Sequence, residues 1–252
     1  MNPFKPTLSV ITVVYNNVTG IERTVNSVIN QTYPNIEYIV IDGASTDGTL
    51  AIIEKYGEKV SKTLSEKDNG IYDAMNKGLA LATGDYVLFM NSGDEIYNAN
   101  TVEDVFASSN NADIYYGETE MLNAKLESQG KRRHSIPNTL TLSSFKYGMS
   151  VSHQAIYIKR AITKPYDLSY QLSADIDWVL HAISKASKIV NVNFFVAKYL
   201  MGGMSKQKHL QSLSERFRIF SQYYGFLPTI FNHMIIAFNL GFYFLKNNKT
   251  ND

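Results

Sequence analysis

Residues 8–17 read Leu-Ser-Val-Ile-Thr-Val-Val-Tyr-Asn-Asn. The run from Leu8 to Tyr15 is apolar and rich in β-branched side chains, and it stops at Asn16 and Asn17. Branched side chains suit a pleated surface, and an unbroken apolar run suits a strand covered on both faces. The segment is therefore expected to be a central strand of a parallel sheet. A secretory leader is not expected, because one lysine precedes the run and no small-residue cleavage pattern follows it.

Reading outward, strand and helix alternate to about residue 122. Ile21, Val25, Val28 and Ile29 recur at helical spacing before Pro34, and Ile36 to Asp42 is the second strand. A short helix carries Leu50, Ile52 and Ile53, and Val60 to Leu64 is a third strand. Gly70 to Thr83 is expected as a helix with Gly84 at its C-cap, then Asp85 to Met90 as a fourth strand. Further strands are expected at 113–121, 155–158 and 189–195, and a helix at 173–186; residues 125–135 are polar and suit an exposed hairpin or loop. The predicted fold class is α/β, with a mostly parallel, Rossmann-like central sheet flanked by helices over residues 1–205 and a C-terminal helical tail over 206–252.

Composition narrows the chemistry. The 252 residues carry a formal charge of +1, which gives no basic footprint for nucleic acid. There is no cysteine, so disulfides, thiolate metal sites and cysteine nucleophiles are excluded. The stretch from Phe226 to Leu245 is apolar except for Asn232, His233 and Asn239. With Arg216, Arg218, Lys246 and Lys249 flanking it, this stretch is expected to lie in a membrane headgroup region and not to span; packing on the domain or in a homodimer is the alternative.

In open parallel sheets, ligands bind beyond the carboxyl ends of the strands. The polar clusters fall there: Tyr15, Asn16 and Asn17 close strand one, Asp42 to Thr49 strand two, and Asn91-Ser92-Gly93-Asp94 strand four. With Asp68, Asn76 and Lys77 from the polar segment 65–78, the expected nucleotide-binding set is Val14, Tyr15, Asn16, Asp42, Asp68, Asn76, Lys77, Asn91 and Ser92. Asp42 can accept from a base N–H or a ribose hydroxyl, and Lys77 offers a cation to phosphate. Asp47, within Ser-Thr-Asp-Gly, reads as a turn and cap residue. Asp94 is the expected ligand of a divalent cation, Mg²⁺ or Mn²⁺, since such ions take one or two carboxylates together with phosphate oxygens. At the start of the helix near residue 173, Asp175 is the expected general base, with Asp177, His153 and Gln154 on an acceptor side. Gly202 to Ser205 are expected to form a flap or a joint.

Taken in order, Tyr15-Asn16, the Asp42 to Thr49 turn, Gly-Ile-Tyr-Asp-Ala-Met-Asn-Lys-Gly from Gly70, Gly84-Asp85, Asn91 to Asp94, His153-Gln154 and Ala174-Asp175 resemble family 2 of the glycosyltransferases, with the GT-A fold, over roughly residues 8–205. That resemblance implies an inverting transfer of a sugar from a nucleotide-diphosphate donor, UDP-linked, to a hydroxyl of a lipid-linked acceptor. It further implies a role in bacterial capsule, O-antigen or exopolysaccharide synthesis at the cytoplasmic face of the inner membrane. By the same resemblance, Asp42 would contact the nucleobase, Asp94 the metal, and Asp175 would be the base. Two departures stand out: Gly43 follows Asp42 where many members carry a second aspartate, and Asn-Ser-Gly-Asp replaces Asp-x-Asp. A catalytically inactive sugar-nucleotide scaffold is a rival that the second departure motivates. A nucleotidyltransferase is disfavoured, because no glycine-rich basic loop follows strand one, and a dinucleotide dehydrogenase lacks its Gly-x-Gly-x-x-Gly there.

Overall fold

The computed structural model describes residues 5–132, 136–202 and 209–248 and shows the expected alternation. β1 (Leu8–Val14) is buried at every position and pairs in parallel with β2 (Ile36–Asp42) on one side and β4 (Tyr86–Phe89) on the other. β3 (Lys62–Ser65) adds to β2, again in parallel. The crossovers are α1 (Ile21–Ile29), α2 (Thr49–Glu54) and α3 (Ile71–Leu81). Because each returns the chain to the same starting edge, the strand ends gather on one side: Val14 is in register with Asp42, and Asp42 with Ser65.

Beyond β4 come β5 (Glu95–Ile96), α4 (Thr101–Ala107), β6 (Ile114–Leu122), β7 (Ser128–Lys131), β8 (Ile156–Lys159), α5 (Ala174–Lys185) and β9 (Ile189–Leu200). The sheet order is β3-β2-β1-β4-β8-β6-β9-β5, with β7 hairpinned onto β6. The parallel character belongs to β1–β4 and to the β6–β9 pair, while β8 runs antiparallel to both its neighbours. A parallel neighbour needs a crossover, usually helical. The described residues between β7 and β8 contain no helix longer than a 3-10 turn.

Two details differ from expectation. Gly84 caps no helix; it lies where β1 begins, and a Cβ there would meet Ser9 N and Thr7 O at 2.8 Å. β9 runs past Phe195 to Leu200 because β5 pairs with its far end, Glu95 opposite Lys198. That extension carries Leu200 to the end of β4.

The C-terminal segment forms α6 (His209–Tyr224) and α7 (Phe226–Asn248). The division expected at residue 205 does not set α6 apart from the sheet domain. Ile219 and Phe220 are buried in the main core, and the Glu215 carboxylate accepts from Gln171 N at 3.1 Å and Leu172 N at 2.8 Å, just ahead of α5. α7 packs on α6 through His233, whose ring lies 5.2 Å from that of Phe217. The opposite face of α7 leaves Leu227, Phe231, Met234 and Phe238 exposed.

Candidate active site

A cavity of about 600 Å³ opens beside the end of β4, and Asn91, Ser92, Asp94, His153, Gln154 and Asp175 all line it. Asp94 sits in the loop after β4, almost fully buried. Its Oδ1 accepts from Leu200 N at 3.0 Å and its Oδ2 from Gln154 Nε2 at 2.6 Å. Burial pushes its carboxyl up to about 6, against the pull of those two donors and of His153.

Asp175, in the first turn of α5, faces the same cavity. Its Oδ1 accepts from the Tyr72 hydroxyl at 3.1 Å, and its Oδ2 lies 3.4 Å from His153 Nδ1. Burial opposes its ionisation, but His153, Tyr72 and the Arg216 charge outweigh it and hold the carboxyl below the ordinary range. Burial first, and the Asp175 charge after it, push the Tyr72 hydroxyl well up, so it keeps its proton and donates. His153 Nε2 lies 3.1 Å from Asn91 Nδ2. Donation from Asn91 to Nε2 places the ring proton on Nδ1, facing Asp175. A relay Asn91–His153–Asp175–Tyr72 thus ties β4, the turn before β8, α5 and α3 together.

That arrangement leaves Asn91 Oδ1 buried with no partner. The described residues contain no cluster of three or more acidic, histidine or cysteine side chains able to hold a metal. One carboxylate with one free amide oxygen is nonetheless a hard donor pair of the kind that serves a divalent cation arriving with phosphate oxygens. Asp94 and Asn91 fit such a cation in the company of a phosphate ligand.

Asp42 does not line this cavity but ends the strand next to β1. Fully buried, it accepts through Oδ2 from Ser65 Oγ at 2.6 Å and Ser45 N at 3.1 Å, while Oδ1 has no partner. Gly43 explains itself here: a Cβ would lie 2.5 Å from Asp68 Oδ2 and 3.3 Å from the Tyr15 ring. Asp68 thus takes the space that a side chain at position 43 would need, with Tyr15, 66% exposed, beside it. Ser92 is tied to this end by Asn17, whose Nδ2 donates to Ser92 Oγ at 2.9 Å. Val14 is a buried strand residue, and Asp47 caps the turn by accepting from Val18 N and Thr49 N.

Several expected ligand residues have other work. Asn76 clamps the backbone of Tyr166, donating to its O at 3.0 Å and accepting from its N at 2.7 Å, so both amide atoms are engaged within the fold. Tyr166 stacks on Trp178 and on Tyr72, so Asn76 acts on Asp175 only through an aromatic stack. Lys77 is held by Glu66 at 2.9 Å and Lys67 O at 2.9 Å and is no free phosphate cation. Asp177 points away from the cavity, to Lys164 at 2.7 Å and the Tyr223 hydroxyl at 3.1 Å. Being two residues from Asp175 on a helix, it faces another side. Gln154 holds Asp94, and Asn16 caps the Asp42 turn through Thr46 N at 2.9 Å. Of the presumed headgroup residues, Arg216 lines the cavity and Arg218 lies 4.7 Å over the Tyr170 ring. Gly202 lines the cavity; Gly203, Met204 and Ser205 lie outside the described residues. Tyr72, Arg132, Tyr199 and Arg216 also line the cavity and were not among the expected site residues.

The model of the family described as glycosyl transferase family 2 matches residues 9–164. The chain belongs to glycosyl transferase family 2. A PGL/p-HBAD biosynthesis glycosyltransferase of Mycobacterium tuberculosis is 29% identical over 211 residues, 79% of each chain. Among solved structures, Staphylococcus aureus TarS 1–349 in complex with UDP has a TM-score of 0.68 at 23% identity, over 85% of this chain and 64% of that one. This chain thus spans just under two thirds of the solved TarS chain. The mannosyltransferase PcManGT from Pyrobaculum calidifontis, in complex with GDP-Man and Mn²⁺, has a TM-score of 0.63 at 16% identity, over 94% and 73%. The fold is that of GT-A glycosyltransferases, and this family 2 glycosyltransferase has relatives in cell-surface glycan biosynthesis.

Three outcomes check these assignments in the family 2 enzyme. Asn76→Ala removes two bonds to the Tyr166 backbone and is expected to cost about 1–3 kcal/mol in denaturant unfolding, with UDP affinity unchanged in calorimetry; a nucleotide role would show the reverse. Asp94 has a folded pKa above its unfolded one, so between about 4 and 6 the native state binds the extra proton and stability falls as pH rises. Asp94→Asn, with Gln154 turned to present its carbonyl, is therefore expected to raise the melting temperature at pH 7.5 and to leave it unchanged at pH 3.5. In the wild type, activity is expected to fall below about pH 6 and to recover there when divalent cation is raised.

Proposed function

We propose that the enzyme transfers a sugar from a UDP-sugar to a hydroxyl of a lipid-linked glycan, with inversion at the anomeric carbon. The observation that carries this reading is the placement of Asp94 and Asp175 on one cavity, joined through His153 and Asn91. Two supports bear on the donor: the unpartnered Asp42 Oδ1, an acceptor for a base N–H, and the UDP of the TarS structure. Asp94 and Asn91 would hold Mg²⁺ or Mn²⁺, which when bound offsets charge on the departing diphosphate.

Asp175 takes the proton of the acceptor hydroxyl as that oxygen attacks the anomeric carbon from the side opposite the diphosphate. A carboxylate held below its ordinary pKa is ionised across the physiological range, so the base is ready without prior deprotonation. Its Oδ1 and Oδ2 are oriented by Tyr72 and His153, which fixes the lone pair aimed at the acceptor. No covalent enzyme intermediate is needed.

Asp175→Asn is expected to bind UDP as the wild type does in calorimetry and to lose about 10²–10⁴-fold in kcat for transfer. Wild-type binding without any donor turnover would favour an inactive scaffold, and formation of a sugar nucleotide from an NTP would favour a nucleotidyltransferase.

We further infer that α7 rests on the cytoplasmic face of the bacterial inner membrane, where the lipid-linked acceptor would be found. No helix among the described residues is long and apolar enough to cross a membrane. Leu227, Phe231, Met234 and Phe238 recur at helical spacing on the outer face, while Thr229 and His233 turn inward, a polarity suited to an interfacial helix. Replacing Leu227, Phe231 and Phe238 together by glutamate is expected to release the protein from anionic vesicles in a flotation assay; unchanged flotation would contradict this placement.

A further inference from the structure

The cavity holds two cations to which the transfer chemistry above assigns no contact with substrate. Arg132 enters just after β7 and Arg216 from the middle of α6, and both line the wall that also carries Tyr199 and Met149. Arg132 Nη2 donates to Met149 O at 3.1 Å, which pins the guanidinium. Its Nη1 and the Nε of Arg216 are buried without a partner. A buried N–H left unmade is costly, and two like charges in one recess repel, so the pair is incomplete as it stands.

No carboxylate among the described residues closes a salt bridge to either arginine. Glu215, beside Arg216 in sequence, accepts from Gln171 N and Leu172 N; Glu118 pairs with Lys131 at 3.1 Å; Asp175 is held by His153 and Tyr72. With no described carboxylate left for them, the partner sought is an oxyanion bound in the cavity. Guanidinium N–H groups match the paired oxygens of a phosphate or carboxylate.

Arg132 feels the charge of Asp175, and Asp175 feels that of Arg216, so both arginines stand near Asp175. We propose that Arg132 and Arg216 form an oxyanion subsite for a phosphate or carboxylate group carried by the acceptor, beside its reacting hydroxyl. The inference rests on the transfer reading above, which puts the donor diphosphate at Asp94, and it makes the substrate an acidic glycan or one whose phosphate linkage lies close to the attacking hydroxyl.

The test titrates inorganic phosphate into enzyme already saturated with UDP and Mg²⁺, by calorimetry or NMR. The wild type is expected to bind phosphate in the presence of UDP, and Arg132→Gln and Arg216→Gln to weaken that binding about tenfold or more, with Arg132→Lys retaining more of it than Arg132→Gln. Glycerol 3-phosphate and glucuronate, titrated in the same way, tell a phosphate linkage from an acidic sugar; tighter binding of either one supports the subsite and names its source. Displacement of phosphate by UDP would overturn the proposal by assigning the pair to the donor, as would phosphate binding that neither Gln variant changes. Arg132→Gln lies at the end of an exposed hairpin and keeps the test open if Arg216→Gln fails to fold. Failure of UDP to bind, with phosphate binding still dependent on both arginines, would overturn the donor reading and leave the subsite standing.

Discussion

His153 stands between the two ends of the chemistry, with one ring nitrogen toward Asn91 and the other toward Asp175. A side chain with a donor and an acceptor on opposite edges of one rigid ring fixes both the direction and the spacing of its partners. The loop after β4 and the first turn of α5 are far apart in the chain, and this ring holds them at one cavity. Everything attributed to Asp94 and Asp175 as a pair depends on that contact. The support extends outward: Tyr72 bonds Asp175, Tyr166 stacks on Tyr72, and Asn76 clamps the Tyr166 backbone.

The two carboxylates are placed in opposite electrostatic settings, which suits different tasks. Asp94 is deeply buried with only neutral donors at its oxygens, and its ionised form is costly. Asp175 is compensated by a histidine, a tyrosine hydroxyl and a nearby arginine, so it stays ionised without a ligand. Such a site spends stability for function at Asp94, while α6 adds core through Ile219 and Phe220 on the far side of α5.

Much of this was legible in the chain because strand ends and helix starts are written locally. β1 is an unbroken branched run, and Asp42, Asp94 and Asp175 each follow or open an element whose apolar pattern is plain. Residues that act through space were not legible. Asn76 and Lys77 lie on the same helix as the cavity-lining Tyr72, yet their partners Tyr166, Glu66 and Lys67 become visible only once α3 is packed. Asp177 differs from Asp175 by two positions, which on a helix is a change of face. Arg216 read as part of a basic flank because α6 gave no sign that it would be folded back against α5. Gly43, a departure in sequence, became intelligible when Asp68 was found occupying the space of its missing side chain.

The central claim is that Asp42, Asp94 and Asp175 serve one nucleotide-sugar ligand. A crystal structure of the complex with UDP and Mn²⁺ tests it most directly. The account requires the uracil against Asp42 Oδ1, an anomalous manganese peak within coordination distance of Asp94, and the open side of the diphosphate facing Asp175. Uracil bound away from Asp42, or manganese remote from Asp94, would contradict it.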